Sequence, residues 1–140
     1  MLRSVIALVA GFAIMTFGQL IATIVLALAL RVQPGTPSPA FLPGSLACGG
    51  LAAACGGYAT AALAPRRHGM HVLILMAMIL TMGVSNLFNP PAGQPIWYRA
   101  AALAAQPLLA GAGGLARARR RSQVGLRVAG DAPDGRATGP

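Results

Sequence analysis

Four long apolar segments constrain the fold of this chain more than any other feature. They run over residues 5–30, 41–63, 70–88 and 95–116, and each is near the roughly 20 residues with which a helix crosses the hydrocarbon core of a bilayer. Only 9% of the residues are charged, against roughly 25% in a typical soluble domain. Because the later loops are short, the helices they join must turn back on each other. We therefore predict an all-α membrane protein, a four-transmembrane-helix antiparallel bundle over residues 1–116.

The arginines predict the orientation of this bundle, because loops on the cytoplasmic side carry an excess of basic residues. If both termini are cytoplasmic (N-in/C-in), the outer ends of the segments are flanked only by Arg31 and Arg99. The inner ends are then flanked by Arg3, Arg66, Arg67, Arg117, Arg119, Arg120 and Arg121. We expect all of these inner arginines except Arg3 to contact anionic lipid headgroups. Residues 117–140 form a basic segment that we expect to be a disordered cytoplasmic tail.

A stripe of small residues marks the second segment. Residues four apart lie on one face of a helix, and every fourth residue here is small, namely Ser45, Gly49, Ala53, Gly57 and Ala61. We call these five positions the small-residue groove. Such a groove lets another helix approach backbone to backbone, which is how helices associate in lipid. Gly111 and Gly114 provide a similar packing face on the fourth segment.

Polar residues occur in the middle of the first and fourth segments. Thr16, Gln19 and Thr23 form a stripe on the first, and Gln106 lies at about the same depth on the fourth. Because an unpaired amide in hydrocarbon is costly, we expect these groups to face the bundle interior. Hydrogen bonding between helices explains them, and the alternative is a polar pathway for a solute. Pro107 removes a backbone donor beside Gln106 and belongs to the same candidate pathway.

The fourth segment begins with residues typical of a membrane interface. Pro95 suits the first position of a helix, and Trp97 and Tyr98 are the aromatic residues that concentrate where lipid meets water. Arg99 follows about one turn into the helix. Its long side chain can reach back to the interface. We therefore predict an interfacial anchor of Trp97, Tyr98 and Arg99.

Few residues offer reactive chemistry. The only carboxylates, Asp131 and Asp134, lie in the last ten residues, which excludes carboxylate catalysis and the embedded glutamate of small proton-coupled multidrug exporters. Cys48 and Cys55 share one helical face, and a thiolate and thioether site for Cu(I) is the alternative to simple packing. His68 and His71 fit interfacial hydrogen bonding better than metal ligation. We predict no catalytic residue, no metal site and no cofactor.

Several short motifs resemble a group of small four-helix bacterial inner-membrane proteins. They are Gly56-Gly57-Tyr58 followed by Ala62-Leu63-Ala64-Pro65, then Asn86-Leu87, Pro95-Ile96-Trp97-Tyr98, and Pro107 followed by Gly113-Gly114-Leu115. In that group a GGY-type second helix ends in an A-x-L-A-P-like sequence, and the fourth helix opens with P-x-W. The resemblance implies the four-helix architecture and location in the bacterial cytoplasmic membrane. It implies no activity, because the group has none assigned.

The sequence favours a non-enzymatic role. We expect an accessory or scaffold protein that associates, through its small-residue helix faces, with itself as a homo-oligomer or with a larger membrane complex. The alternative is a small passive channel or carrier for a neutral or weakly polar solute. We expect no nucleic-acid partner, because no aromatic residues are interspersed among the clustered arginines.

Overall fold

The computed structural model describes residues 2–32, 40–64, 68–89 and 94–130, and within them every regular element is an α-helix. The helices are α1 (Leu2–Ala29), α2 (Phe41–Leu63), α3 (His68–Phe88) and α4 (Ile96–Gly130). Three of them contain a segment long and apolar enough to cross a membrane, which are Arg3–Ala29, Phe41–Leu63 and Gly69–Phe88. The predicted helical class is therefore confirmed, and three of the predicted spans have the length and composition of membrane helices.

The fourth helix extends well beyond the predicted end of its span. It continues through the arginine cluster to Gly130, whereas we expected disorder from residue 117 onward. Arginine, alanine and glutamine are good helix formers, and no proline occurs between Pro107 and Pro133, so nothing in the local sequence ends the helix earlier. Residues 117–130 are thus helical where a disordered tail was expected, and residues 131–140 lie outside the described residues.

The first helix ends in a left-handed turn at Arg31, whose φ is +50°. The N–H of Arg31 donates to the carbonyl of Leu28 at 3.2 Å, and the N–H of Val32 donates to that of Ala27 at 3.0 Å. This pair of hydrogen bonds is the Schellman pattern, in which glycine usually occupies the left-handed position. Arg31 therefore adopts a conformation that a residue with a Cβ normally avoids. The prolines of the following loop, at positions 34, 37 and 39, lie outside the described residues.

The second helix lies between α1 and α4. The α1 contacts run antiparallel, pairing Gly11 with Gly56, Gly18 with Ala52 and Leu26 with Gly44. The α4 contacts run parallel, pairing Ser45 with Tyr98, Gly49 with Gln106 and Gly57 with Ala110. The third helix packs antiparallel on α4 by pairing Val72 with Gly114, Met76 with Gly111 and Gly83 with Leu103. Neighbouring helices along the chain thus alternate in direction.

Two adjacent glycines allow α2 to contact both of its main neighbours at close range. A Cβ on Gly56 would lie 2.6 Å from the carbonyl oxygen of Gly11, and a Cβ on Gly57 would overlap the carbonyl of Ala110. Successive residues of an α-helix point about 100° apart, so one glycine faces α1 and the next faces α4. All five residues of the small-residue groove are buried. The groove is therefore occupied by another helix of the same chain.

All four helices contribute to one hydrophobic core. Its buried members are Met15, Ala53, Leu75, Ile79 and Ala110, with Leu8, Phe12 and Met76 packed against them. Many large apolar side chains instead face outward, among them Phe17 with 63% of its surface exposed and Leu28 with 74%. Exposure on this scale is unfavourable in water and normal against lipid. The outer surface of the bundle is therefore consistent with a membrane environment.

Candidate solute site

A partly open cavity of about 440 Å³ lies between α1, α3 and α4. Pockets that hold small molecules typically have volumes of about 300–1,000 Å³. The cavity lies toward the end of the bundle at which α3 gives way to α4. Its polar lining residues are Thr16, Gln19, Thr23, Asn86, Gln94, Tyr98, Arg99 and Gln106. The apolar lining residues include Met15, Leu20, Ile79, Met82 and Leu103.

The structure brings together four of the five residues of the candidate polar pathway. Thr16, Gln19 and Thr23 line the cavity from α1, and Gln106 lines it from α4. Their convergence follows from the direction of the helices, because the C-terminal half of α1 and the N-terminal half of α4 lie at the same end of the bundle. Pro107 is buried inside α4 and does not belong to the lining.

A pair of glutamine side chains crosses the cavity between α1 and α4. Gln106 Nε2 donates to Gln19 Oε1 at 3.5 Å, which is at the long end for a hydrogen bond. Gly49 makes room for this pair, since a Cβ there would lie 2.9 Å from Gln106 Nε2 and 3.3 Å from Gln19 Cδ. Each amide carries two donors and an acceptor. The pair therefore has further capacity to bind a polar solute.

Arg99 contributes the positive charge of the cavity. Its Nη1 donates to the carbonyl of Leu87 at 3.5 Å, and that carbonyl belongs to the last turn of α3, where backbone acceptors have no partner within the helix. The Nε atom of Arg99 is buried and has no hydrogen-bond partner in the part of the chain that the structure describes. The guanidinium is therefore only partly satisfied.

Sequence reasoning missed half of the polar lining. Arg99 and Tyr98 were assigned only to an interfacial anchor, yet both line the cavity together with Asn86 and Gln94. Their positions in the sequence could have indicated this. Asn86 lies shortly before the connection between α3 and α4, and Tyr98 and Arg99 lie shortly after it. When the two helices turn back on each other, residues at similar distances from the connection come to the same depth in the bundle. The Tyr98 hydroxyl also shares a hydrogen bond of 3.0 Å with Ser45 Oγ, which positions it from α2.

The cavity opens between α1 and α3. Its exposed lining residues lie on these two helices and are Thr16, Leu20, Met82 and Asn86. The lining residues on α4 are all partly buried, so this helix forms the floor. On the side away from the α3–α4 connection, the hydrophobic core around Leu75 and Ala110 closes the bundle. Among the described residues, the exposed part of the lining therefore lies where α1 and α3 face each other.

The remaining predicted residues lie away from the cavity. Trp97 packs edge-on against Tyr98, with ring centroids 6.0 Å apart, and is about half exposed. At the other end of α4, the guanidinium of Arg117 lies 5.7 Å from the ring centre of Tyr58, a cation–π distance. Arg119 and Arg120 are exposed. Arg66, Arg67 and the side chains of Arg121 and His68 lie outside what the structure describes.

The two cysteines lie on α2 and form no disulfide. Cys55 is exposed, Cys48 is partly buried, and both are free thiols. Among the described residues, no three histidine, cysteine or acidic side chains are grouped closely enough to hold a metal ion.

Comparisons of this chain with protein-family models, with curated proteins and with solved structures find no match. The resemblance to the four-helix bacterial group therefore stays a prediction, and the cavity is the feature of the molecule that points to a function.

Proposed function

We propose that this chain is a small multi-pass membrane protein that binds a polar solute in the cavity and carries it passively. The observation that supports this most directly is the convergence of Gln19, Gln106 and Asn86, from three helices, on one cavity of about 440 Å³. A buried amide that serves only to join helices needs a partner and no empty space. Here the amides line a space large enough for a ligand, as expected of a binding site.

A carrier fits the geometry better than an open channel. The cavity occupies one part of the bundle, and Ala53, Leu75 and Ala110 pack together beyond it. An open channel needs a continuous polar path, and this apolar core interrupts it. A carrier needs a binding site without an open path through the protein, and a cavity bounded by this core provides one.

We further propose that α4 is the fourth span and that both termini are cytoplasmic. Residues 96–116 of α4 would extend about 31 Å, close to the thickness of the hydrocarbon core. Gln106, Pro107 and several glycines lower the hydropathy of this helix, but it packs along both α2 and α3. The arginines from Arg117 onward would then lie on the cytoplasmic side of a bacterial inner membrane, in agreement with the positive-inside rule.

Proteoliposome flux tests the carrier role. The purified protein is reconstituted into phosphatidylcholine vesicles, and the uptake of glycerol, which is neutral, and of gluconate, a carboxylate, is followed by stopped-flow light scattering. Gln19→Leu removes the amide at nearly constant volume, and Gln123→Leu makes the same change at an exposed position outside the cavity. We expect uptake above that of protein-free vesicles for the wild type and for Gln123→Leu, and uptake at the protein-free rate for folded Gln19→Leu. Wild-type vesicles that match protein-free vesicles for both solutes, or Gln19→Leu vesicles that match the wild type, would refute the proposal.

Association with other membrane proteins is a second candidate. The small-residue groove is buried against α4 within the chain, so a partner would have to use another surface. The observation in favour is the exposure of α1, in which only 17% of the apolar window is buried. Native mass spectrometry of protein extracted gently from its own membrane tests this role. A defined oligomer or hetero-complex would support it, and a monomer with lipids alone would contradict it.

A further inference from the structure

We infer that the solute of this cavity is an amphipathic oxyanion, a carboxylate or phosphate group attached to a hydrocarbon portion, with Arg99 as the partner of the anionic group. This inference rests on the proposed solute-binding function and specifies the chemical class of the solute. Arg99 is the one charged residue among the described residues that line the cavity. The planar guanidinium of an arginine binds a carboxylate or phosphate through two parallel hydrogen bonds.

The described residues offer Arg99 no compensating charge. No aspartate or glutamate occurs before Asp131, which follows the opposite end of α4 from Arg99. A charge within a bundle of low dielectric constant is unfavourable unless it is paired. The contact between Arg99 Nη1 and the Leu87 carbonyl is long, at 3.5 Å, and the carbonyl is neutral. An anionic ligand would therefore supply what the protein lacks.

The neighbours of Arg99 in the cavity suit an oxyanion as well. Asn86 and Gln94 carry amide donors, and Tyr98 carries a hydroxyl. None of these groups is negatively charged, so none would repel an anion. Together they place neutral donors around a single positive charge at one end of the cavity.

The apolar part of the ligand is inferred from the opening. The cavity is reached between α1 and α3, past the exposed side chains of Leu20 and Met82. In a chain that spans the membrane, this opening faces lipid, so a molecule enters sideways from the bilayer. A ligand with its anionic group on Arg99 would lay its hydrocarbon portion along Leu20, Met82 and Leu103.

Binding of a matched pair of probes tests this inference. Dodecanoate and its neutral analogue dodecanamide are titrated into the full-length protein in neutral detergent micelles, and binding is followed by the fluorescence of Trp97, the single tryptophan, which adjoins Tyr98 and Arg99. Because hydrogen bonds to charged groups are roughly twice as strong as neutral ones, we expect the wild type to bind dodecanoate about tenfold more tightly than dodecanamide.

Three variants isolate the role of Arg99. Arg99→Gln should weaken dodecanoate binding by about tenfold and leave dodecanamide binding within about twofold. Arg99→Lys keeps the charge without the planar fork and should give an intermediate loss. Arg31→Gln removes an exposed arginine at the same end of the bundle and should leave both affinities unchanged, which controls for attraction by surface charge. If Arg99→Gln does not fold, the comparison of Arg99→Lys with the wild type still decides the question.

The outcomes separate this inference from the proposed function. Equal binding of both probes by the wild type, or undiminished dodecanoate binding by folded Arg99→Gln and Arg99→Lys, would overturn the anion preference while leaving a solute site in place. Failure of either probe to bind the wild type would overturn both. Native mass spectrometry in micelles that contain phosphatidylcholine and phosphatidylglycerol identifies the source of the oxyanion. Retention of phosphatidylglycerol that depends on Arg99 would assign it to a lipid headgroup, and dodecanoate binding alone would assign it to a free amphiphile.

Discussion

Replacing Gly57 by alanine should destabilise the bundle although alanine is the better helix former. The new Cβ would overlap the carbonyl oxygen of Ala110 and lie 2.7 Å from its carbonyl carbon and 3.0 Å from its Cα, where ordinary contact begins at 3.4 Å. All three atoms belong to the backbone, so no side chain can rotate away. The strain is relieved only if α2 and α4 separate.

The expected magnitude follows from that separation. A gap of about 0.5–1 Å forfeits a quarter to a half of the dispersion energy of each contact, and overpacked cores generally lose about 1–3 kcal/mol. The better helix propensity of alanine returns at most about 1 kcal/mol. We therefore expect Gly57→Ala to lower the free energy of unfolding by about 1–2 kcal/mol. The Ser45–Tyr98 hydrogen bond lies on the same interface and would be stretched.

Gly18→Ala is the matched control. A Cβ on Gly18 would lie 3.6 Å from the Cβ of Ala52, which is ordinary van der Waals contact. This variant should be as stable as the wild type or up to about 1 kcal/mol more stable. Unfolding by sodium dodecyl sulfate in mixed micelles, followed by the fluorescence of Trp97, compares the three proteins. Equal stability of Gly57→Ala and Gly18→Ala would show that α2 and α4 do not meet at Gly57.

Two further substitutions test contacts at the end of the bundle that holds the cavity. Tyr98→Phe removes the hydroxyl that bonds Ser45 and should lower the free energy of unfolding by about 0.5–1.5 kcal/mol in the same assay. In a Ser45→Ala background the same substitution should have no effect. An equal loss of stability in both backgrounds would mean that the two hydroxyls do not interact. Arg31→Gly places glycine at the left-handed turn after α1 and should stabilise the protein by about 0.5–1 kcal/mol, whereas a loss of stability would indicate that Arg31 does not adopt that turn.

The small-residue groove shows what could be predicted from the sequence and what required the structure. Its period of four predicted a packing face, and all five positions are buried. The sequence did not show which helix occupies the face, and we expected it to serve both packing within the bundle and association with another chain. The structure pairs the groove with α4, so a bulky residue at Gly57 would first disturb the folding of a single chain. Choosing between an internal and an external partner requires the positions of all four helices.

Some features of the cavity could likewise be predicted from the sequence, and others could not. Gln19 and Gln106 were predicted at a common depth, because depth follows from counting residues between loops. The contribution of Arg99 was missed, because its position one turn into α4 suits an interfacial anchor equally well. Its guanidinium joins the cavity only because α3 ends beside it and presents the Leu87 carbonyl.

The sequence by itself determined where α2 and α3 lie. Backbone groups in an apolar segment must bond within the segment, and prolines flank both of these segments, so the predicted span 41–63 coincides with α2 and the span 70–88 falls within α3. The tertiary structure alone decided that Gly56 faces α1 while Gly57 faces α4, and that α1 and α3 leave an opening beside Arg99. These features depend on which faces meet when several helices pack at once, and that choice minimises the energy of the whole bundle rather than of any one segment.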